Sequence, residues 1–235
     1  MTTVEAPATQ PGDLPPADVP LPLENGDRLT RAEFERRYAA MPHLKKAELV
    51  EGEVIMPSPT RLKSHSKPHG DMATWLGVYC ASTPGVELAD NATVRLDADN
   101  EVQPDLLLRL ERGGKTRVSD DDFVEGPPEF IVEIAASSAS YDRHAKLNIY
   151  RRTGVQEYVI WQVHDRKVEW FELREGAYAA LNPDEAGVFH SRVFPGLWLN
   201  AAPLLENRLA EVLAELQRGL TSEEHHAFAA RLKGA

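Results

Sequence analysis

A chain of 235 residues, 42% hydrophobic and 27% charged, is long enough to bury a core as one domain and has an ordinary globular composition. Its formal net charge of −11 argues against broad electrostatic binding of nucleic acid, and no apolar run approaches the roughly 20 residues of a membrane span. The single cysteine, Cys80, excludes an internal disulfide and fits a reducing cytoplasm. Met1 to Gln10 show neither the basic start nor the apolar block of a signal peptide.

Residues 1–26 hold six of the seventeen prolines and read as a disordered acidic tail. Five acids and no Lys or Arg lie in residues 1–27, which leaves −6 for the rest of the chain. From Asp27 to Tyr38 the pattern is helical, with Thr30 as cap and Glu33 three residues later. Lys46 to Met56 reads as a hairpin turning at Glu51-Gly52, followed by a loop through Thr60. Met72, Trp75, Leu76 and Tyr79 have helical spacing within residues 68–81. Strands are expected at 86–88, 92–96, 104–110 and 129–135, then a helix at 142–152 and a strand at 156–163. Residues 168–173 and 177–181 suit a last antiparallel ribbon. Leu205, Leu209, Val212, Leu213, Leu216 and Leu220 form one amphipathic stripe over about 203–220, which must cover the sheet or pair with a second subunit as a homodimer. Thr221 with Glu224 suits the start of a short final helix. The expected architecture is α/β (α+β), a mixed β-sheet flanked by helices, divided into a tail (1–26), a main domain (27–200) and a C-terminal helical segment (201–235).

Two strand-length apolar runs each contain one acid, Asp105 in Gln103–Leu108 and Glu133 in Phe130–Ala135. An acid inside an apolar strand costs several kcal/mol unless a charge or a metal compensates it. Lys146 follows on the next helix. Two carboxylates and an ammonium hold a hard divalent cation, Mg2+ or Mn2+, together with a phosphate. Plain structural roles stand beside this reading. Asp105 suits a turn acid after proline, Glu133 a buried ion-pair partner and Lys146 a solvated helix lysine. His65 either positions a water or scissile phosphate or lies exposed in a polar loop. Glu48 is either a third acid of the site or a surface strand acid. His65 and His69 are four apart, but no Glu follows the first and Pro68 intervenes, so they do not make a zinc-protease helix. Tyr141 and Tyr150 read as packing residues and Cys80 as a small core residue.

Pro104-Asp105, Val132-Glu133-Ile134-Ala135, Ser137 to Arg143, Lys146-Leu147, Tyr150, Gly154-Val155 and Glu157-Tyr158 occur in one order. Glu48-Leu49, Gly52-Glu53, Ser58-Pro59, His65 and Gly70 precede them, and Phe194-Pro195-Gly196-Leu197 follows. In this order they resemble the Uma2 family of restriction endonucleases (DUF820), within the PD-(D/E)XK nuclease superfamily, over about residues 28–220. The resemblance implies a restriction-endonuclease-like fold and a Mg2+- or Mn2+-dependent endonuclease acting on DNA by metal-activated water attack. It implies Asp105 and Glu133 as metal ligands. The superfamily's lysine usually lies two residues after the glutamate, where Ala135 stands; in Uma2-like proteins it lies on the next helix, where this chain has Lys146. Ala136 stands where a polar residue is usual, and Val159 and Gln162 stand where a tryptophan and an acid usually follow the Glu-Tyr pair. Two other readings stay open: a non-catalytic nuclease-fold interaction module, which the acidic charge favours, and a phosphodiesterase acting on RNA or a small molecule.

Overall fold

The computed structural model describes residues 20–56, 59–135 and 141–234, without the side chains of residues 141–144. Most of the expected tail, Ser58, and the stretch from Ala136 to Ser140 lie outside the described residues, as do the side chains of Tyr141 and Asp142. The elements run α1 (Arg31–Ala39), β1 (Glu48–Val50), β2 (Glu53–Ile55), a π-helical turn (Leu62–Ser66), α2 (Lys67–Ser82), β3 (Val86–Asp90), β4 (Val94–Asp97), β5 (Asn100–Val102), β6 (Leu106–Leu110), β7 (Arg117–Val118) and β8 (Val124–Glu125). They continue with β9 (Phe130–Ala135), α3 (Tyr141–Thr153), β10 (Glu157–Gln162), β11 (Lys167–Arg174), β12 (Ala177–Ala180), β13 (Val188–His190), β14 (Trp198–Asn200), α4 (Ala201–Leu205), α5 (Leu209–Leu220) and α6 (Glu223–Lys233).

The main sheet has the order β12-β11-β10-β9-β6-β3, with β9 and β10 parallel and the other pairs antiparallel. A parallel neighbour needs a long crossover, and α3 supplies it between β9 and β10. A second sheet, β2-β1-β5-β4-β8-β7, begins with the hairpin turning at Glu51 and Gly52, both at positive φ (52° and 75°). Strands β5, β7, β8, β13 and β14 have two or three residues each, too few for an alternation to show in the sequence.

Strand alternation sorts the main sheet into two faces. Leu106, Leu108, Phe130, Val132, Ile134, Val159 and Trp161 pack with Met72, Trp75, Leu76 and Tyr79 of α2. Leu107, Ile131, Tyr158 and Ile160 pack with Ile149 and Tyr150 of α3 and with Val50, Val94 and Val102 of the second sheet. Helix α1 caps a third cluster, where Phe34 meets Leu49 and Val54. Leu23 is buried in that cluster at 4% exposure, and Gly26 donates its amide to the Val54 carbonyl (2.8 Å). Packing therefore begins before residue 27, inside the stretch expected to be tail, because one leucine is enough to dock it.

The single C-terminal helix expected over 203–220 is two. Asn207, at φ 59°, breaks the chain between α4 and α5, although the apolar stripe runs across the break. Ser222, not Thr221, caps α6, accepting from the His225 amide. Val212, Leu216 and Leu220 join the cluster around α2, so the stripe covers this chain's own core. Helix α5 crosses the Phe194-Pro195-Gly196-Leu197 turn at a glycine pair: Gly196 is at φ +86°, and a Cβ on Gly219 would stand 2.3 Å from the Gly196 carbonyl oxygen. Backbone cannot yield there as a side-chain tip can. Gly219→Ala should thus destabilise the protein by about 3 kcal/mol in urea unfolding. Gly70→Ala, in α2 with nothing within 4 Å of its added methyl, should raise stability by about 0.5–1 kcal/mol.

Candidate active site

The antiparallel register Leu106↔Val132, Leu107↔Ile131, Leu108↔Phe130, taken one step further, sets Asp105 opposite Glu133. By parity both side chains belong to the face of Leu107 and Ile131, the face covered by α3 and the second sheet. Asp105 is tied to β9 directly: its Oδ2 accepts from the amide of Ile134 at 2.7 Å. Lys146, on the covering helix and 5% exposed, donates from Nζ to Glu133 Oε1 at 2.9 Å and to Glu48 Oε1 at 3.1 Å. Glu48, on β1, is buried rather than on the surface, and the same oxygen accepts from the Gln103 amide at 2.7 Å. His65, on the π-helical turn, places Nε2 3.1 Å from Asp105 Oδ1. The five side chains form two bonded groups, Glu48–Lys146–Glu133 and His65–Asp105, joined through the backbone amide of Ile134.

Two further residues join them. Tyr150 OH donates to Glu133 Oε1 at 3.0 Å while its ring packs edge-on against Tyr158, so it both packs and orients. The expectation of packing alone missed the hydroxyl, and one turn from Lys146 was the available signal. His69 stacks beside His65, and its Nε2 lies 3.1 Å from the Asp105 carbonyl oxygen and 3.2 Å from Asp90 Oδ1. It supports the backbone that carries Asp105.

The electrostatics separate the two strand acids. Burial pushes the Glu133 carboxyl up to about 7; Lys146 opposes the rise and Asp105 and Glu48 add to it. Burial works to raise Asp105 as well, but the hydrogen bond and charge of His65, with the Ile134 amide, outweigh it and hold the carboxyl below its usual value. The same hydrogen bond raises His65 and favours its cationic form. The Tyr150 phenol is raised well above its usual value by burial and donates as a neutral hydroxyl.

The donors available to a metal are carboxylate oxygens. Lys146 and Tyr150 both use Glu133 Oε1, which leaves Oε2 as the oxygen that accepts from neither. Among the described residues no three His, Cys, Asp or Glu side chains converge as a preformed metal cage. Two carboxylates completed by water and substrate phosphate suit Mg2+, which dehydrates reluctantly and seldom uses an all-protein cage.

A family model described as "Uma2: Putative restriction endonuclease" matches residues 31–202. Among solved structures the chain is similar to one described as a putative nuclease belonging to DUF820 from Anabaena variabilis. The TM-score is 0.58 and the identity 14%, over 76% of this chain and 98% of that one, a likeness of fold. A comparison with curated proteins returns no match.

Lys146→Met leaves Glu48 and Glu133 without their shared cation and should cost about 3–5 kcal/mol in metal-free buffer at pH 8. An acid whose folded pKa lies above its unfolded value stabilises the fold fully below the unfolded value and loses that contribution as pH rises through the folded one. Glu133 sits near 7 with the ammonium present and higher without it. The deficit of the variant, measured by urea unfolding, should therefore shrink as pH falls from 8 to 5.

Proposed function

The chain belongs to the Uma2 family, and on that premise we propose that it is a divalent-metal-dependent endonuclease that hydrolyses phosphodiester bonds in DNA. The observation that carries the reading is the buried Lys146 ammonium held between Glu133 and Glu48, one strand away from Asp105. Asp105 and Glu133 are the metal ligands in this reading, with Glu133 contributing Oε2. A cation bound there supplies positive charge at the scissile phosphate and acidifies a water at neutral pH.

The chain's own groups do the rest. Tyr150 and Lys146 fix the Glu133 carboxylate from one side. Glu48 keeps the Lys146 ammonium at the level of the strand acids, where it hydrogen-bonds the attacking oxygen and offsets charge developing on the phosphoryl group. His65, its cationic form favoured by the hydrogen bond to Asp105, offsets charge on a non-bridging phosphate oxygen. The lone unpaired Cys80, its thiol pushed up to about 12 by burial, accords with a cytoplasmic setting. No helix among the described residues is long and apolar enough to cross a membrane. A homodimer would use a surface other than the buried side chains Val212, Leu216 and Leu220.

One observation favours a non-catalytic fold: the Lys146 ammonium is already paired with two carboxylates. Because Lys146→Met perturbs the fold, Asp105→Asn is the cleaner chemical test. An asparagine oxygen still accepts from Ile134, and its amide donates to a neutral His65. Wild type should nick supercoiled DNA in Mg2+ or Mn2+ and not in EDTA. Its melting temperature should rise with the metal, and more at pH 8 than at pH 6, since metal and proton compete for Glu133. Asp105→Asn should keep the metal-free melting temperature and lose both responses. Wild type with neither response would establish the non-catalytic reading; cleavage of RNA or a small phosphodiester in place of DNA would move the substrate.

A further inference from the structure

Residues 54–70 contain no Asp or Glu in a chain of net charge −11, yet they hold Arg61, Lys63, Lys67, His65 and His69. Lys67 is paired with Asp71 at 2.6 Å. The side chains of Arg61 and Lys63 are exposed, and neither makes a hydrogen bond or ion pair with a described residue. Leu62 between them is 71% exposed. Nothing in the packing of the domain accounts for these three side chains.

Their backbone is held tightly. The Arg61 carbonyl accepts from the amides of both His65 (3.0 Å) and Ser66 (3.1 Å), which winds the chain into the wide turn at Leu62–Ser66. Such π-helical turns are rare and concentrate at functional sites. The turn that carries Arg61 and Lys63 outward thus also carries His65 to within 3.1 Å of Asp105. The largest group of basic side chains elsewhere among the described residues is mostly paired, with Lys115 bonded to the Gly154 carbonyl (3.4 Å). A cavity of about 420 Å³ is lined by Arg31, Arg95, Lys115 and Arg117, but Arg31 pairs with Glu35, Arg95 with Glu35 and Asp121, and Arg117 with Glu125.

We propose that this turn is the grip for the nucleic-acid backbone, with Arg61 and Lys63 binding phosphates that flank the scissile one. The proposal rests on the nuclease reading above. It reconciles an acidic protein with a polyanionic substrate by concentrating attraction on one exposed turn that also carries His65 to Asp105. Binding through two phosphates gives a modest and strongly salt-dependent affinity.

The double variant Arg61→Ala/Lys63→Ala should keep the melting temperature and its shift with Mg2+ or Mn2+, and keep kcat for nicking at saturating DNA. KM at about 0.1 M salt should rise on the order of tenfold, and the slope of log kcat/KM against log salt should flatten by about 2. Arg61→Lys/Lys63→Arg should restore both. A double variant that cleaves with the KM and salt slope of wild type would overturn the grip and leave the nuclease reading standing. One that loses melting temperature and kcat together would also overturn it, since the turn would then be structural. Wild type that neither binds nor cleaves nucleic acid would overturn both.

Discussion

A buried ammonium is tolerable only with anionic partners, and Lys146 has two that come from different sheets. Glu133 belongs to the main sheet and Glu48 to the hairpin of the second, and helix α3 lies across both. One cation therefore fixes the position of three elements that share no strand pairing. Asp105 adds a third carboxylate to the neighbourhood, answered by the His65 hydrogen bond, the Ile134 amide and the charge of Lys46. Where desolvation already raises Glu133 beside two other carboxylates, added positive charge is favourable.

The main sheet contains a control for this argument. Glu157, at the start of β10, is as deeply buried as any residue of the chain, and burial likewise pushes it up to about 7. Its parity sends it to the opposite face, toward α2. There its carboxylate accepts from Ser191 Oγ and from the amides of Arg192 and Val193, all neutral donors, and it holds the loop between β13 and β14. Two adjacent strands thus carry one buried acid each, one wired to a cation and a second carboxylate, the other to a loop. Burial alone does not make a glutamate chemical; the company it keeps does.

Asp105 and Glu133 were legible because an acid within an apolar run is conspicuous, and Lys146 because a helical pattern carrying a lysine follows them directly. The long strands and α2 were legible from alternation and helical spacing. Glu48 was ambiguous in sequence, since its burial is created by Gln103 and Lys146, 55 and 98 residues away. His65 was ambiguous for the same reason, its partner being 40 residues on. Tyr150 hid behind its aromatic ring. The break at Asn207 was masked by an apolar stripe that continues across it, and the cap of α6 was misplaced by one residue because Thr221 and Ser222 are both good caps. What local pattern missed is what long-range packing decides.

The span from Glu48 to Lys146 has a consequence for synthesis. Every member of the network except Lys146 and Tyr150 precedes residue 134, but Glu48 and Glu133 lack their shared cation until α3 has been made and has docked. A ribosome-bound chain ending before α3 displays three carboxylates with no ammonium among them. The contacts that join the two sheets through α3 therefore close late, when translation is well past the middle of the message.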